Sequence, residues 1–408
     1  MVVRYVLPGR WIAYDPAQIV AELTDAKAAV LSLTSVPFQR AWAERLQQIQ
    51  LKSEVAGTSR IEGAQFSERE LDAALLDHTP EELLTRSQKQ AKAAMSTYRW
   101  IASLPPGRPV DSDLIKEVHR RIVTGCDDDH CEPAALRRDG YNVTFGSPPH
   151  RGAEGGKECQ RAFAGLAEAL GGEFRGQDLL IQALALHYHL GAIHPFQDGN
   201  GRTARAVEAL MLQRAGLRDA LFIALSNYYY DEKPRYLAAL SEARQGGHDL
   251  TPFLKFGLRG IALQCRRLLE EINVQIRKAL FRDLASDLFG RLQNKKKRVI
   301  AERQLAILNA LLERGPTDYD SLQDELRSQY AKLKDPLSAY LRDVVGLEVL
   351  GAIKVSPYGD ASGSFNGLML SPHLDWPAEI TETEFFKRIS EMPKAKTLSF
   401  LQKPGRRR

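Results

Sequence analysis

The chain is short of the features that would place it in a special class. Its 408 residues contain no apolar run of about 18 residues, the length a membrane-crossing helix needs, so no membrane span is expected. The opening residues, MVVRYVLPGRW, lack the apolar centre of a secretory signal. Cysteine is scarce: Cys126, Cys131, Cys159 and Cys265 form no disulfide framework. A reduced, cytoplasmic protein is the expectation. No charge of one sign dominates either. The net charge is +5, with much of it in the terminal KPGRRR, too little to make nucleic acid the main partner. Internal repeats and long low-complexity stretches are missing as well.

What is present is helical periodicity in a chain too long for one core; about two to four domains are expected. Residues 37–62 carry Trp42, Leu46 and Ile49 at helical spacing, and Gly63 ends that pattern. Ser67 and Glu70 have the spacing of a capping box for a following helix. Further helices are predicted over 80–103, which Pro105 and Pro106 end, and over 111–123, 156–170 and 177–193. The stretch 137–152, RRDGYNVTFGSPPHRG, reads as a short hairpin. DLLIQALALHYHLGAI is apolar on nearly every face and is expected to be a buried central helix. A helix over 202–215, a Tyr-rich connection at 226–230 and helices to about 290 follow. NKKKR at 294–298 marks a boundary. Beyond it, helices over 304–315, 318–329 and 336–351 precede two strand-like runs around a Gly-containing turn at 359–363, the order of a winged-helix domain. The tail is expected to be mobile.

The chemistry concentrates in residues 194–205, HPFQDGNGRTAR. Pro195 disfavours helical geometry at His194, so the apolar helix should stop there and leave His194 facing a loop. Gly199 and Gly201 permit close backbone approach to a ligand. The N–H groups of Asn200 and Gly201 then open the next helix, where the dipole favours an anion. Arg202 and Arg205 lie on one side of that first turn. Cations there cost roughly 0.3–1 kcal/mol each unless something answers them. A polyphosphate would. Asp198 is suited to hold Mg²⁺ against those phosphates, and His194 to take a proton from an attacking hydroxyl. GNGRTA also fits the dinucleotide fingerprint G-x-G-x-x-A, but that motif needs a preceding strand, and here a helical run precedes it.

HPFQDGNGRTAR resembles the signature of Fic-domain proteins, His-Pro-Phe-x-(Asp/Glu)-Gly-Asn-Gly-Arg-x-x-Arg, at every fixed position, and the resemblance extends over roughly residues 1–280. It implies a mainly α fold, a Fic helical core with a short β-hairpin flap, and transfer of AMP from ATP to a protein hydroxyl. The roles it implies are general base for His194, an anchor in the core for Phe196 and a metal ligand in Asp198. Asn200, Gly201, Arg202 and Arg205, beside Gly199, would hold phosphates. TSRIEG at 58–63 resembles the family's inhibitory motif, (Ser/Thr)-x-x-x-Glu-(Gly/Asn), with Thr58, Glu62 and Gly63 at its defined positions. There the glutamate pairs with the second signature arginine, here Arg205, and displaces the γ-phosphate. The segment Val143, Thr144, Phe145 and Gly146 resembles, loosely, the flap that pairs with a target strand and lines the nucleotide. Tyr236 stands where the family often places an aromatic near adenine, although a core tyrosine is an equal alternative.

The organisation expected from this is an N-terminal helical region with the inhibitory helix (1–105), a Fic core (106–290), a winged-helix-like domain (300–375) and a basic tail (376–408). The activity implied is an autoinhibited protein adenylyltransferase acting on Ser, Thr or Tyr hydroxyls, its own included, with ATP and Mg²⁺. Removal of AMP with Glu62 positioning water, another donor such as UTP or a phosphorylated substrate, and a DNA-binding regulator are the alternatives. A homodimer is an expected partner state; the winged-helix-like domain's third helix offers one base, Arg342, so a protein contact suits it at least as well as DNA. His187 and His189, two apart, face different ways; His187 and His194 share a face, but packing is expected rather than zinc. CDDDHC at 126–131 lacks a second ligand pair for zinc and is expected to be a solvated acidic loop.

Overall fold

The computed structural model describes residues 2–37, 39–64, 71–72, 85–127, 129–146, 148–218, 221–292, 295–357 and 367–391, with the backbone alone for 295–299. The Ser67/Glu70 capping box, residues 80–84 of the expected helix, the turn at 359–363 and residues 392–408 of the tail lie outside them. The chain divides into two units, Met1–Glu270 and Glu271–Arg408, and the division falls within helix Thr251–Gly290, upstream of NKKKR.

The first unit is built around helix Leu179–Ile193, buried on almost every side, as its largely apolar composition favours. Its most extensive packing is on helix Asn200–Arg214. Helices Arg86–Ser103 and Ser112–Val123 pack together and also against Asn200–Arg214. The first of them starts with a complete capping box of Thr85 and Gln88, and the second with Asp111 on the Leu114 N–H. The expected hairpin is present but minimal: β2 (Thr144–Phe145) pairs antiparallel with β3 (His150–Arg151). A third strand, β1 (Val3–Arg4), adds parallel to β3, with Val3 opposite His150 and Arg4 opposite Arg151. No local turn signal announces this pairing, because its partners lie almost 150 positions apart.

Helix Arg40–Ile61 turns a face of Leu46, Gln50, Leu51, Glu54, Val55 and Thr58 inward. Ile49, expected on that face, is exposed, because the helix docks through polar anchors as well as apolar ones. The Glu54 carboxylate accepts hydrogen bonds from Tyr98 Oη and the Ser226 N–H, both at 2.8 Å. Gly57 permits the closest approach: a β-carbon there would lie 2.5 Å from the Asn227 backbone nitrogen. Lys233 Nζ donates to Ile61 O at 2.7 Å and so satisfies a terminal carbonyl of the helix. Gly63, at φ +90°, turns the chain away. The Tyr-rich segment expected as a connection is a helix, Leu225–Asp231, and it forms the surface on which Arg40–Ile61 packs. Tyr228 and Tyr229 are buried, so packing overrides the weak helix propensity of the aromatic run.

In the second unit, helices Lys295–Arg314, Tyr319–Glu325, Arg327–Tyr330 and Pro336–Leu350 precede strands β5 (Ile353–Pro357) and β6 (Leu368–Pro372). A short β4 (Thr317–Asp318) joins them in the order β4-β6-β5, all neighbours antiparallel. Arg303 and Asp343 form a buried ion pair at 2.7 Å, which Tyr330 Oη completes at 3.1 Å. Residues 376–391 depart from the expectation of a tail. Helices Trp376–Glu379 and Glu382–Glu391 bury Trp376 and Phe385 in this unit's core, because two large aromatic side chains bury more apolar surface than chain freedom offsets.

The Gly57 contact predicts that Gly57→Val forces Arg40–Ile61 away from Ser226 and Asn227. A loss of about 1–3 kcal/mol is expected. Thermal unfolding should show a melting temperature lower by several degrees; an unchanged one contradicts the close approach.

Candidate active site

Pro195 ends the central helix at Ile193, and His194 takes a left-handed conformation, φ 53° and ψ 60°. Its Nδ1 lies 3.2 Å from Gly191 O, an acceptor only, so Nδ1 carries the proton and Nε2 is the basic nitrogen. The Phe145 ring of β2 stacks on the imidazole at 4.0 Å and 16°. On that ring, in turn, lies the Arg244 guanidinium at 4.5 Å, while Arg244 Nη2 donates to the same Gly191 O at 3.3 Å. Arg137 Nε holds the His194 carbonyl at 2.7 Å. Burial, followed by the charges of Arg244 and Arg137, pushes the His194 pKa down to about 4, against the opposing Gly191 hydrogen bond and Glu62 charge. The imidazole is therefore neutral at physiological pH.

The loop after His194 is fixed from inside. Phe196 is buried, its ring stacked on His119 at 3.7 Å. The Asn200 side chain clips the loop by donating to Phe196 O at 2.8 Å and accepting from Phe196 N at 2.9 Å. The backbone N–H of Asn200, with those of Gly201 and Arg202, opens the helix without an intrahelical partner and can be offered to a ligand. Gly199 stands at φ +75°, and a β-carbon there would meet Val123 Cγ1 at 2.6 Å. His119 accepts from the Ala134 N–H on Nδ1 at 2.9 Å, which leaves Nε2–H to donate to Asp198 O at 3.0 Å.

Both arginines of the first turn are buried and answered from within the chain. Arg205 Nε donates to Thr58 Oγ1 at 2.8 Å, and Nη2 donates to Glu62 Oε1 at 2.6 Å and to Thr58 O at 3.2 Å. Burial raises the Glu62 pKa, but the Arg205 charge and hydrogen bond outweigh it and hold the carboxyl below its usual range. Glu62 also lies over the turn: a β-carbon on Gly201 would be 2.2 Å from Glu62 Oε1. Arg202 Nη1 pairs with Asp127 Oδ2 at 2.7 Å, and Nη2 stands 3.6 Å from Asp198 Oδ1. Asp127 is only 1% exposed, which overturns the expectation of a solvated acidic loop at 126–131. The correction follows from Arg202: a buried guanidinium draws in a carboxylate. Among the described residues no group of three or more metal-binding side chains occurs.

The structure thus brings His194, Phe145, Asp198, the first turn of Asn200–Arg214, Thr58 and Glu62 into one region. Val143 is part-buried on the hairpin, Thr144 is exposed, and Gly146 turns the chain at φ +78°. Tyr236 lies in a buried aromatic cluster, stacked on Tyr229 at 4.7 Å, with its hydroxyl 2.9 Å from His187 Nε2. His187 faces Glu208 Oε1 with its other nitrogen at 3.0 Å, inside the same buried cluster. Asp127, Arg86, Arg137 and Arg244 carry much of the electrostatics and have no motif. Only the acidic run at 127–129 gave a signal, and it does not say which carboxylate turns inward.

Residues 109–212 match the model of the Fic/DOC family. A protein adenylyltransferase Fic of Nematostella vectensis is 38% identical over 73 residues, 18% of this chain and 15% of that protein. One from Culex quinquefasciatus is 33% identical over 145 residues, 35% of this chain and 26% of that protein. The chain therefore spans about a quarter or less of the length of these curated relatives. Among solved structures, a Fic family protein of Desulfovibrio desulfuricans superposes with a TM-score of 0.55 at 17% identity, over 90% of this chain and 98% of that one. Fic-1 of Caenorhabditis elegans superposes with a TM-score of 0.51 at 20% identity, over 64% and 75%. These superpositions establish a shared fold. The loop that His194 opens and the two arginines that follow it lie within residues 109–212, the stretch of this chain that matches the Fic/DOC family.

Proposed function

We propose that the protein is an adenylyltransferase that moves AMP from ATP to a Ser, Thr or Tyr hydroxyl of a target protein and is held inactive by Glu62. The observation that carries the reading is the 2.6 Å ion pair of Glu62 with Arg205, in a site whose histidine is neutral and whose helix N-terminus faces the same space.

His194 Nε2 takes the proton of the target hydroxyl, the hydroxyl oxygen attacks the α-phosphorus, and the bond to the bridging oxygen of pyrophosphate breaks. The N–H groups at the helix start, with Arg202 and Arg205, stabilise the leaving phosphates. Phe145 and the hairpin hold the base and the target segment together. Asp198 has the donor chemistry for Mg²⁺, which takes one or two carboxylates beside phosphate oxygens, and its Oδ2 already faces a cation. When bound, Mg²⁺ would neutralise charge on the phosphates. While Glu62 occupies Arg205, the outermost phosphate lacks its guanidinium and ATP cannot settle productively.

The ionised Glu62 also favours a second reading, in which it orients a water to remove AMP from a modified target; release of label from such a target separates the two. The second unit, with its helices and β4-β6-β5 sheet, supports a winged-helix-like reading. Its helix Pro336–Leu350 offers Arg342 next to Asp343 at 3.8 Å, which favours a protein contact over a DNA phosphate. Salt-dependent binding to duplex DNA would argue the other way.

Intact mass after incubation with ATP and Mg²⁺ tests the reading. Glu62→Gly should gain the mass of AMP on itself or label a protein in lysate, wild type should gain little, and Glu62→Gly with His194→Ala should gain none. Labelling by the double variant equal to that by Glu62→Gly contradicts the base assignment. The pH dependence has a definite sign. A base must be neutral, so a depressed pKa keeps it competent far into acid. Labelling by Glu62→Gly should hold level from pH 8 to about 5.5, where a histidine of ordinary pKa, about 6.5, would have lost most of its activity. Arg244→Gln removes a charge that opposes protonation and should move the acid limb upward; an unmoved limb contradicts a contribution of the Arg244 charge to the low pKa.

A further inference from the structure

Asp198 does not stand free for a cation. Its Oδ1 accepts the Gly199 N–H at 2.6 Å and faces Arg202 Nη2 at 3.6 Å, which leaves Oδ2 as the outward oxygen. That oxygen is met by Arg86 Nη2 at 3.2 Å. Arg86 is the first residue of helix Arg86–Ser103, remote in sequence from the signature, and it is anchored elsewhere. Its Nε and Nη2 both donate to Asp127 Oδ1, at 2.9 and 2.7 Å, and Gln90 Nε2 supports the same oxygen at 2.8 Å. The other oxygen of Asp127 holds Arg202. Four alternating charges result: Arg86, Asp127, Arg202 and Asp198.

We propose that Arg86 is a resident counter-cation that sets the affinity of Asp198 for a divalent metal ion. Resting on the metal role given to Asp198 above, the inference concerns the chain's own side chains. An exposed arginine would normally lose conformational freedom to reach a partly exposed carboxylate, and such pairs are weak. Here the double hydrogen bond to buried Asp127 has already fixed the guanidinium, so its hold on Oδ2 adds little further ordering. A divalent ion arriving at Oδ2 must displace Nη2 and then endure a fixed positive charge within a few ångströms. When metal and phosphates enter together, the phosphates supply the negative charge that lets Arg86 and the ion coexist. Metal without nucleotide is disfavoured, and metal with nucleotide is admitted.

Binding of Mn²⁺ to the full-length chain, read by the loss of the free-ion electron paramagnetic resonance signal, tests this without any turnover. The titration is run with Mn²⁺ alone and, against a protein-free blank for the metal the nucleotide itself binds, with the non-transferable α,β-methylene analogue of ATP. Arg86→Gln and Arg86→Ala, both at a position 49% exposed in its side chain, should each bind Mn²⁺ alone about tenfold more tightly than wild type. Arg86→Lys, which keeps the charge, should stay near wild type, and Asp198→Asn should abolish the binding. The nucleotide analogue should narrow the gap between Arg86→Gln and wild type. If Asp198→Asn abolishes binding but neither neutral variant tightens it, the role of Arg86 is overturned while the metal role of Asp198 stands. If no protein binds Mn²⁺ with the analogue present, the metal role of Asp198 fails and this inference with it.

Discussion

Everything around the signature depends on how two buried guanidinium groups are neutralised. Arg202 and Arg205 stand at the N-terminus of Asn200–Arg214, where the helix dipole already opposes them. A buried cation without a partner is costly, and loss of one member of a buried pair costs about 3–5 kcal/mol. The chain answers with carboxylates from outside the signature: Glu62 for Arg205 and Asp127 for Arg202. Glu62 is the group that a polyphosphate would replace, while Asp127 stays as the buried anchor of Arg202. The site therefore rests with its anion positions filled by its own side chains, and the proposed inhibition follows from a need of the fold itself.

The rest of the first unit serves this arrangement. The apolar helix Leu179–Ile193 delivers His194 to the loop, and Pro195 fixes where it stops. Asn200 and Phe196 clip the loop so that the helix starts two residues after Asp198. Gly57, Glu54 and Lys233 hold helix Arg40–Ile61 against its neighbours, and through it Thr58 and Glu62 reach Arg205. Under the proposed inhibition, release of Glu62 would depend on how firmly that helix, or its last turn, is docked. On the far side, Arg244 and Phe145 press on the imidazole that Gly191 orients.

The helices and the site were not equally legible in the sequence. The central helix could be read because every one of its faces is apolar, and the loop because His-Pro and two glycines in a short span leave few backbone solutions. Glu62 was legible only through the resemblance of TSRIEG to an inhibitory motif; an acid at a helix end has many bland explanations. Asp127 could not be placed from its neighbours, which are polar, since its burial depends on Arg202, some 75 positions away. The β1–β3 pairing and the helix at Leu225–Asp231 were missed for the same reason: contacts distant in sequence decide them. Trp376 and Phe385 show the converse, two aromatics that draw a presumed tail into a core.

If Glu62 stands in for the outermost phosphate at Arg205, then the wild-type protein cannot tell ATP from ADP, and removing the carboxylate restores the distinction. The affinities of ATP and ADP for wild type and Glu62→Gly, measured by calorimetry with His194→Ala present to prevent transfer, read this directly. The expected ratio is near one in the presence of Glu62 and about tenfold in favour of ATP without it, the scale of one charge-assisted contact to a guanidinium. The same preference in both proteins would contradict the account, because Arg205 would then be open to phosphate whether or not Glu62 is there.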